Sequence, residues 1–346
     1  MSHNTRAVYF PELVDAWNEI AGYIDEAKNI FITTHVNPDA DALGCEMALA
    51  SFLKNSGRDF HIINDSRTPD LYSFLDPDGI IQSNHLPGNR FDCLPTENDI
   101  VILVDLGNYN RLGTISDKLV DNDAVKIIID HHRPERVDAN LVVVEETASA
   151  TGILVHEMLK HIGSSFIDST VATALMTALI GDTGFFRYSN TTAITHYVAG
   201  ELYEYGASAV EIRRYIEAGY QYERQKLLGV ALAHMERVLD DNFVYTAITS
   251  KMFQETGTLR EQTEGIIDQI RLVRGIKAAA LIIQEGDKKY KASLRSADGI
   301  SAGDIAALLG GGGHPKAAGA SITGSLDEVT KKVIDAVETI LKQESV

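Results

Sequence analysis

Short apolar runs rich in β-branched residues recur along the first half of the chain, separated by stretches of helical or turn character. They fall at residues 29–34 (NIFITT), 60–64 (FHIIN), 99–104 (DIVILV), 125–129 (VKIII) and 141–145 (LVVVE), and runs of this length and composition read as strands. Because they are apolar throughout, they predict strands buried on both faces, and so a mainly parallel sheet covered by helices. An amphipathic segment over residues 11–27 precedes the first of them. Helical periodicity dominates residues 149–235, including 171–180, and the charged stretch over 209–237 reads as a connector. Beyond it, residues 243–249, 278–284 and 290–295 predict strands, and 262–271, 302–309 and 326–341 predict helices. The tail is therefore expected to form a smaller α/β domain with a mixed sheet. This pattern divides the α/β chain into a domain over 1–195, a helical connector over 196–238 and a second domain over 239–346.

Composition narrows the function. With 346 residues, 45% of them hydrophobic, the chain can bury a substantial core. Its 31 Lys and Arg stand against 49 Asp and Glu, for a net charge of -18, which argues against duplex nucleic acid as a partner because such binding needs many basic contacts to phosphate. A short anionic ligand is compatible with that charge if divalent metals and a few local cations supply the positive field. Cys45 and Cys93 sit in no metal-like or redox-like spacing, as expected of packing residues in a reduced, cytoplasmic protein. No leader-like opening and no apolar stretch of membrane-spanning length occurs, so neither export nor a membrane is expected.

The Asp and His residues fall just after the apolar runs, at the edge where open α/β sheets bind ligands. After the first run come His35, Asp39 and Asp41 within HVNPDADALG; Asp105 ends the third run, and Asp130, His131 and His132 end the fourth. Asp182 lies in Gly181-Asp182-Thr183-Gly184 at the end of a helical pattern. Singly, each has an ordinary structural use: Asp39 or Asp41 as a helix N-cap, Asp105 as a turn cap, the paired His as surface residues. Together, several acids and imidazoles at neighbouring strand ends would repel or stay desolvated without a cation. Carboxylate and imidazole ligands without cysteine suit manganese, magnesium or zinc, and the carboxylate-rich mixture favours manganese. A shared carboxylate can hold two such ions close together, an arrangement suited to activating water and stabilising an in-line phosphoryl displacement.

These segments resemble the DHH phosphoesterase superfamily, whose namesake triplet stands here as Asp130-His131-His132. HVNPDADALG looks like the family's first motif, VILVD its second, IIIDHH its third and ALIGDTGFFRYSNTT its fourth, while GGGGHPKAAGA resembles the glycine-rich signature of the DHH-associated domain. Carried over by position, the resemblance implies one Mn2+ held by His35, Asp39 and Asp105, and a second held by Asp41, Asp105, His131 and Asp182, with Mg2+ or another divalent ion able to substitute. His132 would then face the substrate phosphate, and Asp130 would orient the cluster. In the second domain, Gly311, Gly312, Gly313, His314 and Lys316 would present backbone N–H groups and cations to a phosphate. Arg295, in the cationic run KKYKASLRS, would help hold the uncut end of the substrate. Arg187 reads equally as a phosphate clamp and as a surface ion-pair partner. His156, His161, His196, His234 and Trp17 read as packing or surface residues.

Among the family's branches, nanoRNase-like proteins share this compact length and domain order. The resemblance therefore implies release of 5'-mononucleotides from very short single-stranded RNA, with phosphatase activity on pAp (3'-phosphoadenosine 5'-phosphate). Linear or cyclic dinucleotides such as pApA and cyclic di-AMP, pyrophosphate or polyphosphate, and a non-catalytic nucleotide-binding role remain as alternatives, and a homodimer is left open.

Overall fold

A computed structural model of the protein describes residues 8–84, 93–133, 137–218, 222–263, 265–297 and 299–344. The chain divides into two compact units, one ending at residue 219 and the other beginning at 220.

In the first unit, helix α1 (Val14–Glu26) leads into strand β1 (Ile30–Thr33), helix α2 (Ala40–Asn55) and strands β2 (Phe60–Asn64), β3 (Ile81–Ser83) and β4 (Ile100–Val104). A short helix α3 (Ser116–Val120) separates β4 from β5 (Val125–Asp130) and β6 (Leu141–Val144), after which come helices α4 (Thr151–Gly163), α5 (Ser169–Thr183), α6 (Ala193–Glu204) and α7 (Ala209–Ala218). The six strands form a parallel sheet in the order β3-β2-β1-β4-β5-β6. Both faces are covered, as the continuous apolar runs require. Ile30 and Ile32 of β1 face one core with Trp17, Phe52 and Leu175, while Phe31 faces another with Val101, Leu112 and Leu119. The strand order reverses direction between β1 and β4, which opens a crevice at their C-terminal ends.

Helices α2, α4 and α5 approach one another closely, and small residues permit it. A Cβ on Gly44 would lie 2.5 Å from the Ala174 carbonyl oxygen and 2.9 Å from Ala178 Cβ; one on Gly181 would lie 2.3 Å from Ala40 Cβ, and one on Gly152 would lie 2.6 Å from Ala178 Cβ. Asp41, Thr151 and Asp182 ride on these three helices, so the same packing fixes their separation.

The second unit holds α8 (Tyr222–Ala233), β7 (Glu236–Val238), β8 (Phe243–Ile248), α9 (Ser250–Thr256), α10 (Ile266–Ile270), β9 (Ala278–Gly286) and β10 (Lys289–Ser296). It ends with α11 (Ala302–Leu308), β11 (Gly312–Gly313), β12 (Ala317–Thr323) and α12 (Leu326–Glu344). Its sheet runs β11-β12-β10-β9-β8-β7 and is mixed, since β8 and β9 are parallel and the other neighbours antiparallel. Val329, Val333 and Val337 of α12 pack on one face with Tyr290, Ala292 and Leu294; Leu227 of α8 and Ile267 of α10 pack on the other with Leu281.

Several elements differ from the periodic reading. The charged stretch 209–237 is two helices and part of a strand: α7 packs in the first unit, whereas α8 and β7 belong to the second. Residues 262–271 include the end of a 3-10 turn (Arg260–Thr263) and the short α10, which follows Gly265 at φ 74°. Strands β3, β11 and β12 and helix α9 were not expected; each is short or rich in Gly and Ala, which weakens the periodic signal.

Gly44→Ala is expected to destabilise the protein by about 1–3 kcal/mol, because a helix backbone has to shift to admit one methyl group. Gly200→Ala, at a helical site where the added Cβ would meet nothing within 4 Å, is expected to stabilise by about 0.5–1 kcal/mol. Urea denaturation midpoints that rank the two variants the other way would overturn the helix-packing account.

Candidate metal centre and phosphate groove

The crevice between β1 and β4 gathers all the acids and imidazoles singled out in the first unit. Thr34, buried at the end of β1, donates its hydroxyl to the Val104 carbonyl at 2.8 Å and ties the two strand ends together. The chain then turns through Asn37 at φ 54° to Asp39, which caps α2 by accepting the N–H groups of Asp41 and Ala42 through Oδ1. The helix-cap reading of Asp39 therefore holds, and Oδ2 remains for the cluster, 3.9 Å from His35 Nε2. Asp105 adopts a left-handed backbone at φ 55°, a conformation costing roughly 1–2 kcal/mol for an L-residue, while its N–H donates to the Ile129 carbonyl at 3.0 Å.

The Asp105 carboxylate faces both ways. Its Oδ2 lies 3.3 Å from His35 Nε2 and its Oδ1 lies 3.8 Å from His131 Nε2. His131 Nε2 also lies 3.1 Å from Asp182 Oδ2 and 3.8 Å from Asp41 Oδ2. The ligand atoms form overlapping sets, each spanning no more than 4.8 Å: His35, Asp39 and Asp105; Asp41, His131 and Asp182; and Asp105, His131 and His132.

The donor chemistry fits a divalent cation. His35 Nδ1 is 2.8 Å from the Val36 carbonyl and His131 Nδ1 is 3.1 Å from the Ala148 carbonyl. A carbonyl can only accept, so both Nδ1 atoms carry the hydrogen and a neutral ring turns an Nε2 lone pair toward the acids. Both Nε2 atoms are buried without a well-aligned hydrogen bond. Lone pairs facing carboxylates need a proton or a metal between them, and protons are what the isolated protein recruits. Burial works against the charged His131 ring, but Asp182, Asp41 and Asp105 outweigh it and raise its pKa to about 9. His35 is likewise raised, chiefly by Asp105, against its own burial. Burial and repulsion from Asp105 and Asp182 push Asp41 well above the usual carboxylate range. Asp105 moves the other way: burial opposes its charge, but the His132 and His35 rings hold its pKa below the usual value.

Two contributors lie outside the acids and imidazoles. Helix α4 begins at Ala150, which has no capping side chain, and Asp41 supplies the missing acceptor from α2. Thr151 N–H donates to Asp41 Oδ2 at 2.6 Å and Gly152 N–H donates to Oδ1 at 2.9 Å, at a helix end that favours negative charge. The Thr151 hydroxyl donates to Asp105 Oδ1 at 3.2 Å. Backbone donors and one hydroxyl leave no signature in a search for ligand residues.

Asp130 holds His132. Its Oδ1 accepts the N–H groups of His131 and His132 at 2.8 and 3.1 Å and lies 2.9 Å from His132 Nδ1. Against burial, Asp105 and Asp130 raise the His132 pKa to about 11, so the ring is charged at neutral pH. Arg187 is exposed, donates Nε to the Gly184 carbonyl at 2.6 Å and pairs with no acid among the described residues. His156 is buried with Nε2 2.8 Å from Glu201 Oε2, His161 meets Asn18, His196 lies against Phe186 and His234 meets its own helix.

In the second unit, Arg295 and Gly310, Gly311 and Gly312 line a groove of about 560 Å³ together with Lys291 and Ser293. Lys316 borders a different hollow beside Ser301 and Asp304. The glycine run does not expose five consecutive free amides: Gly310, Gly311 and His314 donate to the carbonyls of Ala307, Ala306 and Ala317. Gly311 and Gly313 are small because β12 crowds them, a Cβ on Gly311 lying 2.1 Å from the Gly319 oxygen and one on Gly313 2.6 Å from Ala318 Cα. Only Gly312, with nothing within 4 Å of its added Cβ, and Gly310, at φ 78°, face open space.

Comparison with known proteins accounts for both units. The profile of the DHH family, N-terminal domain, matches residues 29–179, and that of the DHHA1 domain matches 240–343. A bifunctional oligoribonuclease and PAP phosphatase NrnA of Thermus thermophilus is 29% identical over 89% of this chain and 89% of its own. The protein of the same name from Bacillus subtilis is 28% identical over 94% of this chain and 98% of its own. The crystal structure of an exopolyphosphatase-related protein from Bacteroides fragilis shares the fold, with a TM-score of 0.89 and 23% identity over 96% of this chain and 98% of that chain.

Adding Mn2+ to EDTA-treated protein at pH 7 is expected to release protons, because charged His131 has to lose its Nε2 proton to become a ligand. Calorimetric titration in two buffers of different ionisation enthalpy reads that release; equal heats in both would contradict the cluster as the binding site. Thr151→Ala, which frees the Asp105 carboxylate, is expected to weaken the ion about 10–100-fold.

Proposed function

Because the chain belongs to the DHH phosphoesterases, with a DHH N-terminal domain followed by a DHHA1 domain, we propose that it hydrolyses short single-stranded oligoribonucleotides to 5'-mononucleotides and removes the 3'-phosphate of pAp. The observation that supports this reading is the Asp105 carboxylate, whose Oδ2 lies 3.3 Å from His35 Nε2 and whose Oδ1 lies 3.8 Å from His131 Nε2. Near full-length relatives named as bifunctional oligoribonucleases and PAP phosphatases support the substrate class. The relatives named as cyclic-di-AMP phosphodiesterases support the dinucleotide alternative less, since the chain spans under half of their length.

In this reading His35, Asp39 and Asp105 would hold one Mn2+, and Asp41, Asp105, His131 and Asp182 would hold the other. Two such ions would supply Lewis-acid stabilisation of the phosphoryl displacement. The chain's own residues do the rest. Charged His132, fixed through Nδ1 by Asp130, gives a proton to the departing ribose oxygen. Arg187 contacts the phosphate being cut. Arg295, His314 and the open edge at Gly312 hold the uncut end, with Gly311 and Gly313 shaping that edge and Lys316, which borders a separate hollow, adding positive charge. A net charge of -18 suits a cytoplasmic enzyme that takes small anions at these few cationic points and leaves duplexes alone.

The test is a substrate panel of RNA dimers to pentamers, pAp, pApA, cyclic di-AMP and pyrophosphate with Mn2+. RNA trimers and pAp are expected to turn over fastest; preference for cyclic di-AMP or pyrophosphate would overturn the assignment. Asp105→Asn is expected to lower kcat/KM about a thousandfold, because it removes a charge shared by both ions. His132→Gln is expected to lower kcat about 10²–10⁴-fold while Mn2+ still raises the thermal midpoint. A variant that lost both activity and the Mn2+-dependent midpoint shift would make His132 a ligand instead of an acid.

A further inference from the structure

Residues 148–152, which lead into α4, touch His131, Asp41 and Asp105 of the set assigned to the second ion. The Ala148 carbonyl lies 3.1 Å from His131 Nδ1, the N–H groups of Thr151 and Gly152 donate to the two oxygens of Asp41, and the Thr151 hydroxyl donates to Asp105. The remaining member, Asp182, sits at the end of α5 and is joined to that segment by Asn190. Asn190 Nδ2 donates to the Ser149 carbonyl at 3.1 Å and to the Asp182 carbonyl at 3.0 Å. Carbonyls can only accept, so the amide orientation is fixed: turned over, it would set Oδ1 against two oxygens. The backbone after α5 brings Asn190 there. Gly184 closes the helix in a left-handed conformation at φ 53°, and Phe185 and Phe186 follow at φ 58° and 62°, a region that L-residues rarely occupy. The Thr183 carbonyl then accepts the N–H groups of Arg187 and Tyr188 at 2.9 and 3.0 Å and folds the chain back toward Asp182. Ser149 is held from its other side, its hydroxyl 2.8 Å from Thr195 Oγ1 in the first turn of α6. The set assigned to the first ion has separate supports, since Asp39 is fixed by N–H groups of α2 and His35 by the Val36 carbonyl.

We propose that Asn190 is a positioning residue that locks Asp182 to residues 148–152, and so determines how tightly the second ion is held while leaving the first to its own supports. This rests on the two-ion reading of the cluster. The Asn190 amide works on the Asp182 main chain, so its effect reaches the ion through the direction of the Asp182 carboxylate. Residues 148–152 then carry the whole second set on one rigid segment: His131, Asp41 and Asp105 by direct hydrogen bonds, Asp182 through Asn190.

Titrating the EDTA-treated full chain with Mn2+, and following the paramagnetic resonance signal of the free ion, counts the bound ions and reads both affinities. In Asn190→Ala one affinity is expected to stay at its wild-type value and the other to weaken about 10–100-fold. Asn190→Asp keeps the shape but turns an oxygen on two carbonyls, and is expected to weaken the same ion at least as much. If Asn190→Asp held that ion as tightly as the wild type, packing or an added ligand would be its role and the proposal would fail. In an Asp182→Ala background, Asn190→Ala is expected to cost no further affinity, because its effect runs through Asp182; independent, additive losses overturn the proposal. Asn190 is exposed, so the metal-free thermal midpoint of Asn190→Ala is expected to match the wild type. A lowered midpoint with both affinities unchanged would make Asn190 a structural residue only and overturn the proposal. Equal weakening of both ions, or of neither, overturns it and leaves the two-ion reading intact. A wild-type chain that binds fewer than two ions overturns both.

Discussion

Four carboxylates, those of Asp39, Asp41, Asp105 and Asp182, are held at one crevice of a folded domain, and Asp41 and Asp105 are wholly buried there. Like charges in such a place repel: burial and repulsion outweigh the neighbouring imidazole at Asp41, whereas the His132 and His35 rings hold Asp105 in its charged form. In the isolated chain the conflict is met by protons, with His131 and His132 charged and Asp41 pushed toward its neutral form. A divalent cation would meet it more directly, because it replaces protons with a charge that several ligand atoms can share. The donor set is thus one that a divalent cation fits.

Holding repelling groups together requires a rigid frame, and its parts are local. The parallel sheet ends β1, β4 and β5 at one edge, the left-handed backbone of Asp105 keeps its carboxylate between two imidazoles, and Asp41 substitutes for the missing cap of α4. Gly44, Gly152 and Gly181 let α2, α4 and α5 close to distances that side chains would forbid. The separation of Asp41 from Asp182 depends on these glycines, and the Gly152 N–H also donates to Asp41.

The second unit solves a different problem with the same economy of charge. Its groove has few cations, one of which is already committed to Asp268. Its glycine run serves close packing against β12 at Gly311 and Gly313, while Gly310 and Gly312 face open space. Which charges pair with an acid is settled by folding, and composition does not report that.

Much of this was legible before folding. Apolar runs mark β1, β2, β4, β5 and β6 within a residue or so at each end, because a strand buried on both faces has no polar positions to blur it. His35, Asp39, Asp41, Asp105, His131 and Asp182 stood out because acids and imidazoles after such runs are costly unless used. Thr151 and the amide of Gly152 did not stand out, since a hydroxyl or a backbone N–H carries no mark until its neighbours are known. The chain by itself determined which segments form the parallel sheet and which acids and imidazoles follow them, because burial shows in the hydrophobic pattern; the strand order that brings them to one crevice came from the structure. Only the tertiary structure decided which way Asp105 faces, what caps α4 and which cation pairs with Asp268, because those depend on distances of a few ångströms between segments far apart in sequence.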